Sequence, residues 1–226
     1  MSVPDPATGG WGLAGRRLYL CTPDRPDLER FIGRCLEGGV DVVQLREKHL
    51  DDRALAARAE VARDVCAGYG VPFVLNDRPD LAAAVGADGV HVGQYDVSPR
   101  RARDLLGADA LVGLSTHAPD ELAAAVTGDA SGPEPVDYLS AGPVVATPTK
   151  PGRPGTGPGY LTEAVAVSPW PVWVTGGVTP DTVAGLAAAG ARHFVVVRWL
   201  VLADDPRAAA RALRYAVEAA VETAVT

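Results

Sequence analysis

Cysteine is scarce and scattered. The 226-residue chain has three, Cys21, Cys35 and Cys66, an odd number with no close spacing between any two. That excludes a disulfide framework. With no His/Cys cluster beside them, it also argues against zinc. The three read as buried thiols in a reducing compartment. Positive charge is in deficit as well, with 21 Lys and Arg against 28 Asp and Glu, a net charge of −7. Such a balance disfavours non-specific binding to nucleic acid or to an anionic membrane surface. No window offers the roughly 20 uncharged apolar residues that a membrane span requires. The opening "MSVPDPATGGWGLAGRR" interrupts with Pro and Gly the apolar core that a signal peptide needs. The expectation is a cytoplasmic protein whose partners are small molecules, with its oligomeric state left open.

What the chain does have is a repeated junction. "EGGVDVVQL" (37–45), "VGADGVHVG" (85–93) and "AAGARHFVVV" (188–197) each run from a helix ending in Gly, through a polar step, into a Val-rich stretch. Gly ends a helix at low cost because it accepts the left-handed conformation. A β-branched run without alternation reads as a strand buried on both faces, as in a parallel sheet. Strands are expected near 17–21, 41–45, 72–75, 88–92, 110–114, 136–140, 171–175 and 193–197. Amphipathic helical stretches lie between them, and Pro or Asp marks several of their starts. Eight strands alternating with eight helices over about 200 residues predict a single (β/α)8 TIM barrel. An open doubly wound sheet would want a G-x-G-x-x-G turn after the first strand, where the chain reads "CTPDRPDLER". Residues 1–15 are expected as a flexible leader and 16–226 as the barrel domain.

In such barrels chemistry collects at the C-terminal strand ends, and here those ends are the polar ones. Strand two ends "QLREK", placing Gln44, Arg46 and Lys48 at alternate positions on one side of an extended chain. The planar fork of Arg and the compact charge of Lys suit phosphate oxygens. Asp77 after strand three and Asp96 after strand four could meet as two hard oxygen ligands for Mg²⁺. Asp77 pairing with Arg78, or capping the next helix, is the plainer alternative. His91 reads as an in-strand hydrogen-bonding residue, and Ser115 with His117 makes a poor nucleophile pair. The longest irregular segment, "AGPVVATPTKPGRPGTGPG" (141–159), has no acidic residue but carries Thr147, Thr149, Lys150, Arg153 and Thr156. Its hydroxyl, ammonium and backbone N–H donors would suit a lid over phosphate. Gly176-Gly177 after strand seven and Arg198 after strand eight extend the same donor set. Two positive regions suggest two phosphorylated substrates.

"QLREK" (44–48), "LNDR" (75–78), "DGVHVGQYD" (88–96), "GLSTH" (113–117), "GPVVATPTK" (142–150) and "GGV" (176–178), in this order, resemble thiamine-phosphate synthases. The resemblance implies an Mg²⁺-dependent transferase. It would join 4-amino-5-hydroxymethyl-2-methylpyrimidine diphosphate to thiazole phosphate after dissociative loss of diphosphate. It further implies that Gln44, Leu45, Arg46, Glu47 and Lys48, with Asn76, Ser115 and Lys150, bind the pyrimidine diphosphate, with Arg46, Lys48, Ser115 and Lys150 as catalytic groups. Asp77 and Asp96 would hold the metal. Thr147, Pro148, Thr149 and Gly177, with Val197 and Arg198, would bind the thiazole phosphate. One departure stands out: that family commonly has Ser-Ala where this chain has Arg198-Trp199. A thiazole-tautomerase-like paralogue would lack the diphosphate and metal residues that are present here. A non-catalytic binder of thiamine precursors, blocked by Arg198-Trp199, and a sugar-phosphate isomerase are the other readings.

Overall fold

The computed structural model describes residues 11–128, 132–147 and 154–224. Eight parallel strands close in sequence order into one barrel: β1 (Leu18–Thr22), β2 (Val42–Leu45), β3 (Phe73–Asn76), β4 (Gly89–Val92), β5 (Leu111–Thr116), β6 (Tyr138–Ala141), β7 (Val172–Val174) and β8 (His193–Val196). β8 pairs back onto β1 through Leu18 and Phe194. Each expected strand is present, with boundaries shifted by one or two residues. Eight helices were expected, and nine are seen among the described residues. The addition is α8 (Arg198–Val201), one turn inserted between β8 and the terminal helix α9 (Pro206–Thr223).

The polar step of the repeated junction has a defined use. Asp41, just before β2, accepts from the Leu18 N–H at 2.9 Å. Asp88, before β4, accepts from the Phe73 N–H at 2.8 Å. Asp137, before β6, accepts from the Val112 N–H at 2.6 Å. Each carboxylate thus binds a backbone donor at the start of the preceding strand and helps to set the stagger of the pair. Where β8 meets β1, His193 Nδ1 and the Arg16 carbonyl, 2.7 Å apart, form the corresponding link.

Two apolar layers follow from the strand pleat. Residues facing outward, such as Leu20, Val43, Leu75 and Val90, pack under the helices. Inward, Tyr19, Val42, Val74, Leu111, Tyr138 and Trp173 fill the barrel. Trp173 packs edge-on to Tyr19, with ring centroids 5.2 Å apart at 83°. Residues 1–10 of the expected leader lie outside the described residues. Leu13, 7% exposed, joins the interior cluster, and Trp11 lies 5.3 Å from the Arg16 guanidinium.

Candidate active site

A cavity of about 410 Å³ opens at the C-terminal ends of the strands. That is within the range of small-molecule sites. The pleat supplies its first wall: Gln44, Arg46 and Lys48 all line it, while Leu45 between them is buried in the outer layer. The Glu47 side chain also turns away. Its carboxylate accepts from the backbone N–H groups of Lys48 and His49, at 2.7 and 2.9 Å, and shapes the loop. Alternation therefore divides the expected QLREK set, leaving Leu45 and Glu47 without side chains in the cavity. Gln44 is 5% exposed, and its Nε2 finds no partner among the described residues. A buried amide donor of this kind is costly unless a ligand meets it.

Asn76, Asp77 and Asp96 form the adjoining wall. Asp77 has φ +64, the left-handed conformation that Asp tolerates better than most residues, and its N–H donates to the His91 carbonyl at 2.8 Å. Its Oδ2 lies 2.9 Å from Lys48 Nζ. Arg78, its sequence neighbour, pairs instead with Asp52 and Asp80. Burial raises the Asp77 carboxyl above the ordinary carboxylate value, Lys48 opposes that rise, and the Asp96 carboxylate adds to it. Asp96 Oδ2 in turn accepts from the Gly93 N–H at 2.8 Å. A half-buried carboxyl whose proton affinity a neighbouring carboxylate raises, with hard oxygen donors on both groups, fits a divalent cation. Among the described residues no third acidic, His or Cys side chain joins them as a ligand cluster. The remaining coordination positions would therefore fall to substrate oxygens and water.

The far side is built from the turns after β6, β7 and β8. Gly176 and Gly177 have φ +94 and +76. A Cβ on Gly176 would come within 2.6 Å of Pro143, so glycine lets the β6 and β7 turns touch. Thr182 braces this turn by donating to the Gly177 carbonyl at 2.7 Å. Thr147, Gly177, Thr179, Val197 and Arg198 all line the cavity. Pro148, Thr149, Lys150 and Arg153 lie outside the described residues. Trp199 reaches the cavity rim, but its indole N–H donates to the Ala209 carbonyl at 3.1 Å, tying the ring to α9.

The cavity floor is legible in the sequence only in part: Ser115 and His91 stand out there, Tyr19 and Tyr138 do not. Tyr19, Tyr138 and His91 line it together with Ser115. His91 Nε2 lies 2.8 Å from Ser115 Oγ, His91 Nδ1 lies 3.1 Å from the Tyr138 hydroxyl, and the Tyr138 and Tyr19 hydroxyls are 2.9 Å apart. His117, at the cavity edge, pairs with Glu121 on α5 (Pro119–Thr127), Nδ1 to Oε2 at 2.9 Å. The signal for Tyr138 lay in Gly113, its register partner on β5. A Cβ at Gly113 would overlap the Tyr138 ring.

Fold and site together define a class: a (β/α)8 barrel with a polar mouth, a cation–carboxylate cluster on one side and glycine-shaped turns on the other. Comparison with known proteins narrows it. The family model for thiamine monophosphate synthase matches residues 18–200. A thiamine-phosphate synthase of Thermobifida fusca is 48% identical over 212 residues, covering 92% of this chain and 95% of the relative. One from Thermus thermophilus is 47% identical over 206 residues, covering 88% and 95%. Among solved structures, a thiamine phosphate pyrophosphorylase from Pyrococcus furiosus superposes with a TM-score of 0.79 at 28% identity, covering 91% of this chain and 96% of that one. The chain belongs to the thiamine monophosphate synthase family.

Proposed function

We propose that this barrel is a thiamine-phosphate synthase. It would transfer the pyrimidinylmethyl group of 4-amino-5-hydroxymethyl-2-methylpyrimidine diphosphate to the ring nitrogen of thiazole phosphate. The bond between the methylene carbon and the diphosphate oxygen breaks, and the electron pair leaves with diphosphate. The thiazole nitrogen then donates its pair to the carbon, giving thiamine phosphate. The observation that carries this reading is one cavity with Arg46, Lys48, Asp77 and Asp96 on one wall and Gly177, Thr179 and Arg198 on the other. Two separate sets of phosphate-compatible groups thus face one space.

The Arg46 N–H donates to the Thr22 carbonyl at 2.8 Å, while its guanidinium, which lines the cavity, has no ion-pair or hydrogen-bonding partner among the described residues and is available to the diphosphate. Gln44 Nε2 would meet an acceptor on the pyrimidine half. Asp77 and Asp96 would hold Mg²⁺, which when bound supplies positive charge against the developing charge of the leaving group. The pyrimidine and thiazole phosphate are brought together in one cavity, which replaces a bimolecular encounter by a positioned one. The reaction needs no strong base at the carbon. Among the described residues no helix is long and apolar enough to cross a membrane, and we place the activity in the cytoplasm.

Substitutions on opposite walls separate the two substrates. Arg46→Ala is expected to raise KM for the pyrimidine diphosphate about tenfold, the loss of roughly one charge-assisted hydrogen bond, with little effect on KM for thiazole phosphate. Equal rises in both would count against two subsites. The blocked-binder reading loses ground to Trp199, which is tethered toward α9 rather than across the cavity.

A further inference from the structure

We propose that Tyr19, Tyr138 and His91 form a hydrogen-bond chain of fixed direction that turns the Ser115 hydroxyl proton into the cavity, making Ser115 a donor to the departing diphosphate. The inference rests on the synthase reading above and assigns its three buried residues a positioning role.

The direction follows from counting donors. Tyr19 is 2% exposed, Tyr138 1%, His91 8% and Ser115 6%, so the chain depends mainly on its protein partners for hydrogen bonds. Among the described residues the Tyr19 hydroxyl meets one partner, the Tyr138 oxygen at 2.9 Å. A buried O–H that fails to donate costs more than an unfilled lone pair. Tyr19 therefore donates to Tyr138. The Tyr138 proton must then go to its other neighbour, His91 Nδ1, at 3.1 Å.

Accepting at Nδ1 places the proton of a neutral imidazole on Nε2. An imidazolium would donate from both nitrogens and leave the Tyr138 hydroxyl with two donors and no acceptor for its own proton. With Nε2–H donating to Ser115 Oγ at 2.8 Å, the serine oxygen has spent one lone pair inward. Its own proton is then free to face the cavity that Ser115 lines. The reverse direction would have Ser115 donating to the histidine and only accepting from a ligand. Such a group would repel diphosphate oxygens.

Packing holds the chain in place. The Tyr138 and His91 rings stack at 24° with centroids 5.5 Å apart, and Trp173 walls off Tyr19 and Tyr138 edge-on. The missing Cβ of Gly113 makes the room for Tyr138. A donor fixed before the reaction costs no reorganisation as charge develops on the leaving group.

The test is a double-mutant cycle on kcat with Ser115→Ala, Tyr138→Phe and the pair, with thermal melting run alongside. Tyr138→Phe is expected to lower kcat about tenfold, leave KM for the pyrimidine diphosphate within about twofold, and have no further effect in the Ser115→Ala background. If Tyr138→Phe does not fold, Tyr19→Phe replaces it in the same cycle, with an expected loss of several-fold. Wild-type kcat in the Tyr variant, or losses that multiply in the double variant, would overturn the chain while leaving the synthase reading intact. If the unmutated protein makes no thiamine phosphate, the synthase reading falls first and takes this inference with it.

Discussion

Lys48 Nζ sits 2.9 Å from Asp77 Oδ2, joining the end of β2 to the end of β3 across the cavity wall. This contact holds the one non-glycine residue with positive φ among the described residues beside a cation that lines the same cavity. Asn tolerates that backbone conformation as Asp does, so Asp77→Asn removes the charge without adding strain. The variant is expected to melt within a few degrees of the unmutated protein and to lose about 100-fold in turnover. Near-normal turnover would remove Asp77 from the proposed metal site.

The same carboxyl sets an acid limb. Burial and Asp96 hold it above its usual value, so as pH falls Asp77 takes up a proton earlier than a free carboxylate with pKa near about 3.9 would. Activity is expected to decline on the acid side from a higher pH than that, and added Mg²⁺ should push the decline to lower pH. In Asp96→Asn, one raising influence is gone, so Asp77's own titration, followed by NMR, should move down. No movement would separate the two carboxylates.

Gly113→Ala tests the floor. The new methyl meets the Tyr138 ring, and overpacking of this kind costs about 1–3 kcal/mol. Chemical denaturation should show that loss, and turnover should fall with it as Tyr138 moves off His91. A variant of unchanged stability would mean that the interior accommodates the methyl freely.

Acid should also loosen the seam where the barrel closes. Burial holds the His193 imidazole below its ordinary value while its Nδ1 stays bonded to the Arg16 carbonyl. The folded state therefore resists protonation that the unfolded chain accepts. His193 contributes stability fully above an unfolded pKa of about 6.5, and the contribution drains away as pH falls from there toward the lower folded value. The melting temperature should drop across that window, and His193→Gln should flatten the slope. An equal slope in both proteins would assign the acid sensitivity elsewhere.

Cys35 and Cys66 are fully buried in the outer layer, and burial pushes the Cys35 thiol up to about 12 and raises Cys66 as well. The thiolate is the reactive form. Neither should label with a thiol reagent in the native protein, and both should label after unfolding. Native labelling of Cys66 would contradict the packing of α2 (Asp52–Tyr69) on the barrel.

The barrel was legible because its signal is local and repeated: Gly, a polar step, then a Val-rich strand. The wall residues were legible for a related reason. Alternation places Gln44, Arg46 and Lys48 on one side, and adjacent strands bring Asp77 near Asp96. That same alternation should have set Leu45 and Glu47 aside. The floor was harder to read because it depends on pairings between distant residues. Tyr138 has room only because Gly113, its partner across the β5–β6 register, lacks a side chain. The use of Asp41, Asp88 and Asp137 as strand-start acceptors was hidden likewise, since each partner lies one helix and strand away in sequence. The sequence offers Asp77 a neighbouring partner in Arg78, and only geometry shows that it takes Lys48, 29 residues away.

The most direct measurement is product formation. Purified protein, the pyrimidine diphosphate, thiazole phosphate and Mg²⁺ are incubated together, and thiamine phosphate and free diphosphate are quantified by mass spectrometry. The structure leads us to expect the two products in equal amounts, abolished by EDTA and restored by excess Mg²⁺. Tight binding of both substrates with no thiamine phosphate formed would contradict it.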